Sequence, residues 1–291
     1  MHATNCLVQC EEMIREGSST FYKAFGYLPS PRKEAVYVIY AFCRMIDDSV
    51  DEPERSLYSI DELEHHLNEL ATAEGHFIWP ALRWLFQQFP NLQKAPFYKQ
   101  MEGQRRDLVQ TEYNTMEELE HYCYLVAGTV GEMLLPVLHE SPDEKVVESG
   151  VYLGKAMQIV NIVRDIGEDK RRGRRYVPLD WMQECGYSEE CFQAEDVNEG
   201  LKQLILKLEQ KAKEWFALGL RDLDTYPTSS AFSVELAALF YGSILDAVKS
   251  NEYQVFRKRA YVSGVQKASM LLSIMRRYNM SNHKAESSAV S

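Results

Sequence analysis

In RMIDDSVDEP, Arg44 to Pro53, the aspartates Asp47 and Asp51 lie four residues apart, directly after the apolar run AVYVIYAFC, Ala35 to Cys43. On a helix that spacing stacks both carboxylates on one face, while Asp48 points about 100° away. Like charges so placed repel, and a counter-charge is required. Taken alone, the pair also fits a helix end facing water. A second group tips the balance. In AMQIVNIVRDIGEDKRRGRRYVP, Ala156 to Pro178, the residues Asn161, Asp165 and Asp169 recur every fourth position, with Gln158 one turn earlier. They form a polar stripe about 12 Å long on a helix that is otherwise greasy.

Two such stripes are natural walls of one cavity. Their oxygen ligands are of the kind Mg²⁺ prefers, and few enough to leave positions for water and phosphate. Arginines are interleaved: Arg44 one turn before Asp48, Arg164 beside Asp165, and Arg174 or Arg175 beyond Asp169. Guanidinium grips phosphate oxygens bidentately while a metal bridges acid to phosphate, so the substrate is expected to carry a diphosphate. The apolar surroundings predict that the rest of it is hydrocarbon. Phe21, Phe25 and Tyr40 fit such a lining or ordinary core packing, and aromatic faces also stabilise a carbocation.

The elements that hold these groups read as helices throughout. Ser30-Pro31 predicts a capped helix start, and Ser59-x-x-Glu62 and Thr115-x-x-Glu118 read as capping boxes. Apolar residues recur at three-to-four spacing, as at Leu201, Leu204, Ile205 and Leu208, and alternating strand runs are missing. The fold class is all-α, with ten helices or more, as one domain over residues 1–280 and a disordered polar tail at 281–291. A chain of 291 residues with 45% hydrophobic content can bury a substantial core. Its net charge of −11 argues against nucleic-acid binding. Six scattered cysteines read as reduced thiols of a cytoplasmic protein, no signal peptide is evident, and no window reads as long and apolar enough to span a bilayer.

The DDSVD motif, AGTVGEMLLP at Ala127 to Pro136, and QIVNIVRDIGEDKRRGRRYVP together resemble the squalene/phytoene synthase family, over about Ser18 to Lys267. Members of that family join two prenyl diphosphates head to head. The resemblance implies the isoprenoid synthase fold, a single large helical bundle around a central cavity, and two or three Mg²⁺ ions bound through diphosphate. It makes Asp47, Asp51, Asn161, Asp165 and Asp169 metal ligands, with Asp48 in support. It places Ser18, Ser19, Thr20 and Phe21 in a flap segment, and Tyr40, Arg44, Gln158, Arg164, Arg174 and Tyr241 at substrate. Tyr122 and Tyr176 match tyrosines near the reacting diphosphate, while Arg259 and Lys267 lie in a matching basic segment. Tyr241 equally fits a core tyrosine, and Arg259 a surface cation. Gly128 and Gly131 cost helix stability, which calls for close approach of substrate or another helix; the resemblance favours substrate.

Within the family the likeness is closest to C30 enzymes that make dehydrosqualene from two farnesyl diphosphates, with phytoene synthase, acting on two geranylgeranyl diphosphates, or an NADPH-dependent squalene synthase as the alternatives. Bulky Phe21 and Phe25 suit a C15 chain. The lack of a recognisable C-terminal anchor resembles the bacterial carotenoid branch and favours a reaction without NADPH. Candidate proton acceptors are the released diphosphate, Tyr122 and Tyr241. Transient contact with a membrane is expected, to release an oily product; a non-catalytic relative of the same fold is the competing class, against which both intact acid sets argue.

Overall fold

A computed structural model describes residues 3–279, and the tail expected at 281–291 lies outside the described residues. The chain begins with α1 (Ala3–Gly17), α2 (Ser19–Phe25), α3 (Arg32–Asp51), α4 (Ile60–Asn68), α5 (Ile78–Gln88) and α6 (Ala95–Arg106). Next come α7 (Met116–Cys123), a π-helical turn (Tyr124–Gly128), α8 (Thr129–Leu138) and the long α9 (Glu144–Arg171). After the short α10 (Leu179–Glu184) and α11 (Glu189–Gln193) follow α12 (Glu199–Gly219), α13 (Thr228–Ser250) and α14 (Gly264–Arg277). Among the described residues there is no strand, only one bridge between Glu112 and Arg175.

Helix starts follow local chemistry. Ser59 and Glu62 close a full capping box on α4. Thr115 accepts from the Glu118 amide, but the Glu118 carboxylate turns back to the Asn114 amide, so only half the box forms. Ser30 does not cap α3: the helix starts at Arg32, the capping position falls on Pro31, and no side chain bonds the first turn. Ser30 stands one residue too early for its hydroxyl to reach those amides.

Helix α9 buries residues on several sides because it runs through the middle, against α8, α12, α13 and the π turn, and keeps its polar stripe for the cleft. Helix α3 is likewise buried from Ala35 to Cys43, apart from Tyr40. The expectation about bilayer-spanning windows is corrected: Met116–Leu138 and Thr228–Ser250, 23 residues each, are long and apolar enough by composition. Burial accounts for their apolarity, since 56% and 67% of those windows lie inside the protein.

Candidate active site

Between α2, α3, α8, α9 and α13 lies a cavity of about 210 Å³, walled by side chains such as Phe25, Val36, Leu134, Met157 and Val234. Phe21 sits at the centre of an aromatic group, stacked on Phe25 at 5.4 Å, edge-on to Tyr241 at 5.5 Å and 6.3 Å from Tyr40. Glycines make the wall thin. A β-carbon on Gly131 would stand 2.2 Å from the Gly150 carbonyl oxygen, and one on Gly154 would stand 2.1 Å from that of Ala127. The close approach inferred at Gly128 and Gly131 is met by α9, whose backbone or Val151 side chain lies against both positions, while Gly131 also lines the cavity.

One side of this cavity opens into a polar cleft of about 390 Å³, lined by seven acids and five arginines. Asp47, Val126, Gln158 and Asn161 line both spaces and form the junction. Asp47 accepts from Gln104 Nε2 at 2.6 Å. Asp51 is gripped by Arg172 and Arg174 at 2.7 and 2.6 Å, which ties the end of α3 to the turn after α9. On the opposite wall Asp165 pairs with Arg164 and, at 2.9 Å, with Arg259 Nε. Arg259 also reaches Glu168 at 3.4 Å. Gly167 lets this happen, because a β-carbon there would collide with the Phe256 backbone that carries the Arg259 segment past α9.

The turn after α9 is locked by exchange of backbone bonds between Arg175 and residues 111–113, and the buried Arg175 guanidinium holds the Tyr113 and Val177 carbonyls at 2.8 Å. Arg175 is thus a strut, and Arg174 is the cleft residue. Behind it Tyr122 donates to Asp107 at 2.8 Å and contacts the Tyr176 hydroxyl at 3.2 Å.

Crowded acids in a partly dry cleft resist ionisation. Burial, reinforced by Asp51, Asp48 and Asp107 against Arg44, pushes Asp47 up to about 8. Burial with Asp165 and Glu168 does the same to Asp169, also to about 8. Asp107 rises to about 6, mainly through burial, despite its bond from Tyr122. Burial raises Tyr122, Tyr176 and Tyr241 as well, so all three hold their phenolic protons at neutral pH. Asn161 Oδ1 is buried without a donor while its amide group bonds Gln158, an acceptor left open at the junction.

Residues 14–266 match the model of the squalene/phytoene synthase family. The chain belongs to that family. It is similar to the phytoene synthase of Arthrospira platensis, 36% identical over 269 residues and 87% of each chain. Phytoene synthase 2 of Oryza sativa subsp. japonica is 36% identical over 275 residues, 91% of this chain and 68% of the relative. Among solved structures, a dehydrosqualene synthase in complex with ligand superposes with a TM-score of 0.89 at 31% identity, covering 96% of this chain and 98% of its own. The fold is the isoprenoid synthase fold of these relatives.

For a squalene/phytoene synthase, the residues inferred from sequence distribute unevenly. Asp47, Asp51, Asn161, Asp165, Asp169, Arg44, Gln158, Arg164, Arg174, Tyr122, Tyr176 and Arg259 line the cleft. Phe21, Phe25, Tyr40 and Tyr241 line the apolar cavity. Asp48 lines neither and pairs with Arg44 at 2.7 Å. Ser18 caps α2 by accepting from the Phe21 amide, and Ser19 and Thr20 are held by Lys267 at 3.2 and 2.9 Å. Sequence reasoning missed Gln104, Asp107, Glu168 and Arg172, and Glu52, expected to be merely solvated, also lines the cleft. The first two had a readable signal: Gln100, Gln104 and Asp107 step four and three residues along the otherwise packed α6, the same kind of stripe as on α9.

Proposed function

We propose that this family member condenses two farnesyl diphosphates head to head, through presqualene diphosphate, to dehydrosqualene. The observation that carries the reading is the junction at Asp47, Val126, Gln158 and Asn161, where an apolar cavity meets an acid and arginine cleft. The acids are spread along the cleft. Among the described residues no three acidic, His or Cys side chains converge to hold an ion by themselves, so diphosphate oxygens would complete the coordination. Asp47, Asp51, Asn161, Asp165 and Asp169 would be the oxygen donors for Mg²⁺, and the open acceptor at Asn161 fits that role. Bound Mg²⁺ supplies Lewis-acid stabilisation of the departing diphosphate.

Arg174 and Arg164 would turn from Asp51 and Asp165 to the diphosphate oxygens as the acids take up metal, assisting cleavage of the allylic C–O bond. The double bond of the second farnesyl chain then attacks the allylic carbon, and loss of a proton closes the cyclopropane. A second ionisation, rearrangement and proton loss give the triene. Apolar walls keep water from the cations, and the faces of Phe21, Phe25 and Tyr40 stabilise them. The released diphosphate is the natural proton acceptor, because Tyr122 and Tyr241 hold their protons tightly.

Chain length is supported by the Phe21 and Phe25 pair in the cavity wall, and by the likeness to a dehydrosqualene synthase structure. A second reading, condensation of two geranylgeranyl diphosphates, is favoured by the names of the phytoene synthases at 36% identity. Product analysis with farnesyl and geranylgeranyl diphosphates in competition, with and without NADPH, decides. A C30 triene formed without NADPH supports the first reading. A C40 triene supports the second, and squalene formed only with NADPH rejects both.

A further inference from the structure

Helix α14 and the segment leading into it differ from the rest of the molecule in charge. Residues 257–279 contain six Lys or Arg and no Asp or Glu, in a chain whose net charge is −11. The helix is firmly started by a capping box of Ser263 and Gln266. Its inner face, with Ile274 buried and Met270 and Leu271 packed on the core, binds it to the bundle. Outward it carries a second apolar stripe: Val265 is 82% exposed and Leu272 57%, two turns apart, with Tyr261 at 71% just before the helix. Arg257, Lys258 and Arg276 flank that stripe, exposed and without an acidic partner within 4 Å among the described residues.

We propose that this face docks the protein on an anionic lipid bilayer. Apolar side chains flanked by free cations are the arrangement that lies in an interface, with Val265, Leu272 and Tyr261 entering the acyl boundary and the cations at the headgroups. A second copy of this chain is the poorer occupant, since two such cationic faces repel each other. The face also adjoins the site. Arg259 in the same segment pairs with Asp165, and Lys267 on the same helix holds Ser19 and Thr20 ahead of Phe21. Docking therefore brings the bilayer to the elements that border the apolar cavity. Charge and exposure assign the surface without reference to the reaction; only the purpose, delivery of a hydrocarbon product, rests on the proposed function.

Flotation of the full chain with vesicles tests this. Wild type is expected to float with vesicles of phosphatidylcholine and phosphatidylglycerol, to stay behind with phosphatidylcholine alone, and to detach as salt rises. Val265→Glu combined with Leu272→Glu should lower the bound fraction about tenfold, and Arg257→Glu with Arg276→Glu should do likewise. Both variants keep wild-type turnover on detergent-dispersed prenyl diphosphate, which separates loss of docking from loss of the reaction. Wild type that ignores anionic vesicles, variants that float as well as wild type, or a dimer that the Val265/Leu272 variant dissociates would each overturn the proposal. Absence of any prenyl turnover with docking intact would sink the functional reading and leave the surface standing.

Discussion

The apolar cavity and the polar cleft share a junction but differ in how complete they are without a ligand. In the cavity the aromatic rings partner one another, and its thin wall is backbone on backbone at Gly131 and Gly154. At the junction Asn161 Oδ1 and deeper in the cleft Asp107 Oδ1 are buried and unbonded, and burial first, then neighbouring acids, keeps the protons on Asp47 and Asp169. Packing fixes the first space, whereas the second waits for charge from outside. That contrast is the physical form of a site that must bind hydrocarbon by shape and diphosphate by charge.

The largest expected effect falls on the cleft. Asp165→Asn removes the partner of Arg164 and Arg259, and turnover should drop about 10²- to 10³-fold with the fold retained by circular dichroism. Asp47→Asn should lose activity similarly yet stabilise the metal-free protein. The folded carboxyl titrates near 8, above its ordinary 3.8, so its contribution to stability is complete below the ordinary value and is lost as pH rises through 8. Asparagine suffers no such loss. In chelator, the melting-temperature advantage of Asp47→Asn over wild type should grow between about pH 5 and about pH 9. A variant less stable than wild type throughout would break the contrast between the two spaces.

The cavity should respond in stability and product, not in charge chemistry. Gly154→Ala drives a β-carbon into the Ala127 carbonyl and should cost about 1–3 kcal/mol, read as a lowered melting temperature. Phe25→Ala removes a buried ring from the cavity wall. It should shift the ratio of C40 to C30 products by about tenfold in competition, with little change in Mg²⁺ dependence. A ratio that stays fixed would remove Phe25 from chain-length selection.

Much of the cleft was legible because a period-four polar stripe on a greasy helix is costly to bury unless a ligand or counter-charge meets it. Asn161, Asp165 and Asp169 could be placed from spacing alone, and the displacement of Asp48 followed from helix geometry. Partners supplied by distant segments were not legible from spacing. Nothing local says that Arg172 reaches Asp51 across 121 residues, or that Arg175, adjacent to Arg174, turns inward as a strut. Gly128 and Gly131 announced close approach but not by what, since glycine admits a backbone and a ligand equally. The apolar windows at Met116–Leu138 and in α13 are long enough by composition to cross a bilayer, against the expectation from sequence, and only their burial tells a bundle centre from a span, because both select the same side chains.

The smallest effect separates the floor of the cleft from its rim. Arg174 and Arg172 both hold Asp51, yet the Arg174 side chain is 11% exposed and that of Arg172 is 38%. Water screens the outer pair, so Arg172→Gln should raise KM for the prenyl diphosphate only about twofold. Arg174→Gln, which removes the drier cation, should raise it by about tenfold and lower kcat as well. Steady-state kinetics on both variants reads the difference. Equal penalties would mean that the diphosphate reaches the rim and spans both arginines, and the division between a wet edge and a dry floor would have to be redrawn at Glu168, which Arg172 also touches at 3.3 Å.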